Sequence, residues 1–210
     1  DALAPVVANI RRNRAAILVG TQMLAKGHHF PAVTLVGIIN TDQGLFSADF
    51  RAPERLLQTV LQVAGRAGRA ERPGQVLLQT HLPEHPLLQS LAQGDYRPPA
   101  QALLDERRAA GLPPFGALTL LRAEAHQRCR VDEFLRAACQ CAPPAPVEIS
   151  GPTPSLMERR AGFERAELWI QAPSRAQMQK ALKLWLPRFA ELQSARNVRW
   201  MLDVDPLLIT

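Results

Sequence analysis

Two short β-branched apolar runs on either side of a polar crossover constrain this chain's fold more than any other feature. They lie in residues 15–41, AAILVGTQMLAKGHHFPAVTLVGIINT. The runs, 16–19 and 33–39, read as buried parallel strands, because strands covered on both faces are continuously apolar rather than alternating. Between them lie Gly20, Thr21 and Gln22, then Lys26, Gly27, His28, His29, Phe30 and Pro31. Loops at the C-terminal edge of parallel strands are where open α/β sheets bind ligands. Thr21 offers a hydroxyl donor for a phosphate oxygen, Gly20 an accessible backbone, and Lys26 a neutralising cation. Taken singly, Lys26 and the histidines read as ordinary polar loop residues.

A second element narrows the reading. Residues 53–64 have helical periodicity, with Leu56, Leu57, Val60, Leu61 and Ala64 on one face and Asp49 or Ser47 available as cap. The helix runs into Gln62-Val-Ala-Gly65-Arg66-Ala-Gly68-Arg69. Glycine allows close backbone approach to a ligand and frees a helix end from its usual geometry. A spacing of three puts both guanidiniums on one side of the turn. Each is a permanently charged fork of donors suited to phosphate oxygens. Alone, the pattern equally fits a solvated basic helix end favoured by the helix dipole.

Together the stretches carry a resemblance. GTQMLAKGHHFP, NTDQGLFSADFRAPER and QVAGRAGR resemble motif V, the intervening segment and motif VI of superfamily 2 helicases, and more closely of the primosomal replication-restart helicases. QTHLPEHPLLQ, LPPF at 112–115 and WMLDVDP fit the same family, and the resemblance is strongest over 18–89. It implies an α/β fold: part of a RecA-like helicase lobe 2, a parallel sheet with helices, followed by a small α+β C-terminal domain. It also implies that Arg69 is an arginine finger for the γ-phosphate of ATP. Arg66 would be a second phosphate contact, with Gln62 and Gly65 in the same ATP site. Gly20, Thr21 and Lys26 would contact DNA, the first two relaying nucleotide state to its backbone. One departure is Gly27-His28-His29 where many members carry Gly-x-Asp. A histidine is partly charged near neutrality, so His29 is not assigned the carboxylate's role.

No G-x-x-x-x-G-K-[ST] phosphate loop occurs in the sequence, and Asp42 is the lone candidate for an acidic Mg²⁺ holder. The resemblance implies ATP and Mg²⁺ held mostly by another lobe, in a 3′→5′ DNA helicase that recognises stalled or branched replication forks and restarts replication by primosome assembly. A chain that begins at Asp1 without that lobe reads as a C-terminal portion, inactive as an ATPase alone. The competing reading is a non-enzymatic, basic nucleic-acid- or protein-binding module. An upstream reading frame with a phosphate loop and an acidic box would decide between them.

A net charge of +6 favours a polyanionic partner, although the preference for arginine over Lys26, Lys180 and Lys183 also fits a GC-rich genome. No apolar run approaches the roughly 20 residues of a membrane span, and the resemblance implies a cytoplasmic protein working at replication forks on the nucleoid. Cys129, Cys139 and Cys141 include no C-x-x-C pair and read as reduced thiols, since structural zinc usually takes four ligands. The resemblance places zinc in an insertion upstream of this span, with no metal expected here. His81 and His85 are separated by Pro83, which excludes a regular helix aligning them.

Further along, 1–13 reads as a helix end, 75–80 as a strand, and 85–93 and 100–110 as helices. Gly111 and Pro113-Pro114 stop the last of these, placing the domain boundary between 1–111 and 112–210. Beyond it, 117–125, 147–149, 163–171 and 197–203 read as strands, with helices over 131–141 and 174–193, the latter capped by Ser174. That β-α-β-β-α-β order predicts a ferredoxin-like fold. Residues 158–165 form a basic hairpin in which Arg159, Arg160 and Phe163 suit phosphate contact and base stacking, or equally a solvated tip. The resemblance implies that this domain binds branched or forked and single-stranded DNA, the acidic tail of single-stranded-DNA-binding protein, and other primosome proteins. Arg175 is its partner-binding candidate, and residues 207–210 read as a natural chain end.

Overall fold

The computed structural model describes residues 17–20, 33–65 and 74–209. The helix end expected over 1–13 lies outside them. The chain forms two compact units that part between Gln101 and Ala102, upstream of the prolines where the sequence places the change.

In the first unit, β1 (Leu35–Ile38) and β2 (Gln75–Leu78) run parallel, with Leu35 opposite Gln75 and Ile38 opposite Leu78. Parallel neighbours need a long crossover, and here it contains α1 (Asp42–Leu45) and α2 (Ala52–Ala64). Helix α2 buries Ala52, Leu56, Leu57, Val60 and Val63. Leu61 and Ala64, expected on that stripe, are exposed, because the three- and four-residue steps from Leu56 lead through Val60 to Val63. Helix α3 (Pro86–Ala92) buries Leu87, Leu88 and Leu91, and α4 (Arg97–Ala109), within which the boundary between the units falls, buries Pro99. The strand expected over 16–19 is not seen at its described positions. Ile17 and Val19 are 95% and 84% exposed, and among the described residues β1 pairs only with β2. A parallel strand exists only where a neighbour takes its backbone hydrogen bonds.

The second unit runs β3 (Ala117–Ala125), α5 (Arg128–Gln140), β4 (Glu148–Arg160), β5 (Phe163–Ala172), α6 (Arg175–Ala190), a 3₁₀ turn (Gln193–Asn197) and β6 (Arg199–Val204). The four strands form one antiparallel sheet in the order β4-β5-β3-β6. The whole chain is thus mixed α/β, a short parallel pair followed by a four-stranded antiparallel sheet with helices. Alternation sends Ala117, Leu121, Ala123 and Ala125 of β3, with Ala166, Leu168, Ile170 and Ala172 of β5, into one core with Phe134, Leu135, Met178, Trp185 and Phe189 of the helices. Trp185 Nε1 donates to the Ala138 carbonyl at 2.8 Å, which satisfies the indole and ties α6 to α5. Ser174 caps α6 as its sequence implies, its hydroxyl accepting from Gln177 N.

Strand β4 is 13 residues long, far longer than the expected 147–149. Gly151, Pro152 and Pro154 look like strand breakers, but β4 lies at the sheet edge, where lost donors are tolerated. The ladder shifts register between Ser150 and Thr153, and again between Pro154 and Arg159. Gly151 makes the first shift possible: its φ is +112°, and a Cβ there would lie 2.8 Å from the Glu167 carbonyl oxygen. Phe134 is fully buried at the centre of the core, stacked on Trp200 and edge-on to Phe189. Phe134→Ala should therefore cost about 3–5 kcal/mol of stability. Urea unfolding followed by tryptophan fluorescence measures this, and a loss below about 1 kcal/mol would contradict the packing described.

Candidate nucleotide and DNA interface

The C-terminal ends of β1 and β2 are tied by one carboxylate. Asp42, just beyond β1, accepts from the Thr80 hydroxyl through one oxygen and from His81 N at 2.9 Å through the other. The Thr80 bond, then the His81 backbone bond, hold the Asp42 pKa below the ordinary aspartate range. Thr41 is buried, with its backbone N donating to the Gln79 carbonyl at 3.1 Å, and Asn40 takes a left-handed turn at φ 56°. Asp42, the Mg²⁺ candidate of the sequence, thus has both oxygens engaged in joining two strand ends.

Helix α2 carries the nucleotide candidates at its far end. Before its start, Asp49 is 1% exposed, accepts from Arg51 N at 2.9 Å and pairs with Arg55 Nη2 at 2.5 Å. At its end, Gln62 is exposed in the last turn, and Gly65 follows with its N donating to the Leu61 carbonyl at 2.9 Å. Gly65 has φ −66°, an ordinary right-handed value. Any residue adopts that backbone, so the helix leaves Gly65 without using glycine's freedom. Gly20 is exposed and outside any regular element. Thr21, Lys26, Arg66 and Arg69 lie outside the described residues, as do His28 and His29.

In the second unit the expected hairpin is present as β4, a two-residue turn at Ala161 and Gly162, and β5. Neighbours along a strand point to opposite faces, so Arg159 and Arg160 part company. Arg159 lies opposite Glu164 and pairs with it at 3.4 Å, on the helix-covered side. Arg160 lies opposite Phe163, on the face away from the helices. There Phe163 stacks with His126, centroids 4.1 Å apart at 29°, and the Arg199 guanidinium lies 4.5 Å from the Phe163 ring centre. Arg175 begins α6 and pairs with Asp205 at 3.2 Å, with its side chain 81% exposed.

Midway along the same face runs a network that the sequence did not disclose. Arg122 donates through Nη1 to Asp203 at 3.1 Å and through Nη2 to the Leu208 carbonyl at 2.7 Å. Its Nε lies 3.4 Å from Glu167 Oε2, an ion-pair distance without hydrogen-bond geometry. Glu167 is buried and accepts from Trp169 Nε1 at 3.1 Å and Ser155 Oγ at 3.3 Å. His126, Arg199 and these charges come together only through strand pairing, with Arg122 opposite Glu167 and Glu124 opposite Arg199. Strand order alone does not set register, so the sequence carried no local signal for these pairings.

Cys129 is exposed, and Cys139 and Cys141 are half-buried free thiols. Burial, and secondarily Cys141, push the Cys139 thiol pKa up. His85 caps α3, its Nδ1 accepting from Leu87 N at 3.3 Å. No described helix is long and apolar enough to cross a membrane.

Comparison with known proteins follows this division. Residues 4–71 match the helicase conserved C-terminal domain, and residues 108–207 match the primosomal protein N C-terminal domain. The chain therefore joins part of a helicase to a primosomal domain. It is 46% identical to replication restart protein PriA of Haemophilus influenzae over 201 residues, 94% of this chain and 27% of that protein. The PriA proteins of Synechocystis and Bacillus subtilis are 38% and 34% identical, over 95% and 93% of this chain and 24% and 25% of their own lengths. The chain belongs to the PriA replication restart family, and it spans about a quarter of the length of these relatives.

The strand-end tie makes its own prediction. A carboxyl whose folded pKa is depressed adds stability above its unfolded pKa and loses it as the pH falls through the folded value. Thr80→Val should raise the Asp42 pKa and move that loss of stability to higher pH. Side-chain carboxyl NMR titration reads both, and an unmoved Asp42 curve would rule out Thr80 as the main cause.

Proposed function

We propose that this chain is the C-terminal portion of an ATP-dependent 3′→5′ DNA helicase that recognises stalled or branched forks and restarts replication by assembling a primosome. The observation that carries the reading is the match to PriA proteins along 94% of the chain, with a helicase C-terminal segment ahead of a primosomal domain. The parallel β1/β2 pair with α2 in its crossover supports a partial RecA-like lobe over 1–111. The β-α-β-β-α-β order and the sheet order β4-β5-β3-β6 support a ferredoxin-like domain over 112–210.

In this reading Gln62 and Gly65 at the end of α2, with Arg66 and Arg69 beyond them, meet ATP held largely by residues outside this span. The exposed Gln62 amide fits a phosphate or a water around it, while the engaged oxygens of Asp42 do not fit a Mg²⁺ ligand. Bound ATP supplies the energy of phosphoryl transfer, and Arg69 offers a guanidinium to the charge that develops on the γ-phosphate. Gly20, Thr21 and Lys26 contact the DNA backbone. Arg159 and Arg160 contact phosphates of the fork, and Arg175 meets the acidic tail of single-stranded-DNA-binding protein by exchanging its pairing with Asp205.

The chain alone should not hydrolyse ATP. In the full-length protein, Arg69→Ala should lower ATP hydrolysis by about 10³–10⁵ with DNA affinity nearly unchanged. Steady-state ATPase assays and fork-binding titrations on the same samples measure both. A rate loss below about tenfold, or loss of DNA binding instead, would make Gly-Arg-x-Gly-Arg a DNA-backbone patch.

A further inference from the structure

We infer that His126, Phe163 and Arg199 form a stacking site for an unpaired base of single-stranded DNA, on the sheet face away from α5 and α6. The inference rests on the DNA-binding reading above and specifies which chemical part of the DNA this face takes. The three residues come from separate places in the sequence: the turn after β3, the first position of β5 and the first position of β6. Strand pairing brings them to one end of the sheet. His126 and Phe163 are offset-stacked at 4.1 Å, and the Arg199 guanidinium lies 4.5 Å from the Phe163 ring centre. A hydrogen-bond contact of 3.2 Å between His126 Nδ1 and the Gly162 carbonyl fixes the imidazole over the hairpin turn. The aromatic ring is thus half-buried and oriented in advance, while His126 is exposed and the Arg199 side chain is 72% exposed.

Charge on this face fits the phosphates that would flank such a base. Alternation and register place Arg160, Arg165, Arg199 and Glu124 together here. Glu124 is shared by two guanidiniums at long range, Arg165 at 3.8 Å and Arg199 at 3.7 Å. The exposed Arg160 and the largely exposed Arg199 present guanidiniums beside the stack. Arg159, by contrast, is paired with Glu164 on the opposite side. A preformed aromatic–guanidinium stack beside exposed arginines takes bases by their π-faces and tolerates any sequence. The base extends the stack on the exposed imidazole, with its neighbouring phosphates at Arg199 and Arg160.

The test uses the whole 210-residue chain and two forks, one with an unpaired arm and one with every arm duplex. The unpaired arm carries 2-aminopurine, whose fluorescence falls on stacking. His126→Ala and Phe163→Leu should each weaken binding to the unpaired arm about fivefold or more, and abolish the quenching. Affinity for the all-duplex fork should stay within about twofold. Arg160→Ala should lower the salt slope by about one. His126 is exposed, so its variant decides the matter even if Phe163→Leu lowers stability. Unchanged affinity and quenching in both variants, with salt-dependent binding intact, would overturn the stacking site and leave the DNA reading standing. Absence of salt-dependent binding in the parent chain would overturn the DNA reading itself, and this inference with it.

Discussion

Arg122 lies where three strands and the chain's last residues meet, and the second unit is organised around it. From the middle of β3 its guanidinium reaches Glu167 on one neighbour, Asp203 on the other and the Leu208 carbonyl beyond both. Charges this buried are tolerated only when paired, and removing one partner of such a group typically costs about 3–5 kcal/mol. The network also fixes register. A slip of one residue in β3 or β5 would turn a charge into the aliphatic core. Pairing specificity therefore sits on the face that carries these charges, while Phe134, Trp185 and Phe189, with Trp200 packed against them, lie in the core on the other.

Each unit exposes polar groups at one end. In the first, Asp42 locks the carboxyl ends of two parallel strands, and α2 leaves its far end, with Gln62 and Gly65, facing outward. In the second, the hairpin and the starts of β5 and β6 gather arginines and one aromatic ring at a single end of the sheet. Both are places where a rigid scaffold positions polar groups without making them part of a core. That arrangement suits a protein whose relatives act in replication restart.

Elements with one strong local signal were legible in the sequence. The span 117–125 was read residue for residue, Ser174 was identified as the cap of α6, and the alternation of helices and strands beyond residue 116 gave the strand count. Legibility failed where the deciding partner was distant. Gly151, Pro152 and Pro154 concealed most of β4, because a strand at a sheet edge accepts residues that local propensity rejects. Arg159 and Arg160 were grouped as one basic site, although strand alternation sends them to opposite faces. His126 and Arg199 carry no local mark at all, and only the pairing of β3 with β5 and β6 brings them to Phe163. Asp42 looked like a metal candidate by its position after a strand, and proved to be a strut.

Strand β4 has a consequence for how this unit meets other molecules. Its rim lacks amide donors at Pro152 and Pro154, and its ladder is offset twice within 13 residues. A second copy of the unit, or a misfolded chain, finds no even row of backbone groups there to extend, so edge-to-edge polymerisation is disfavoured from the outset.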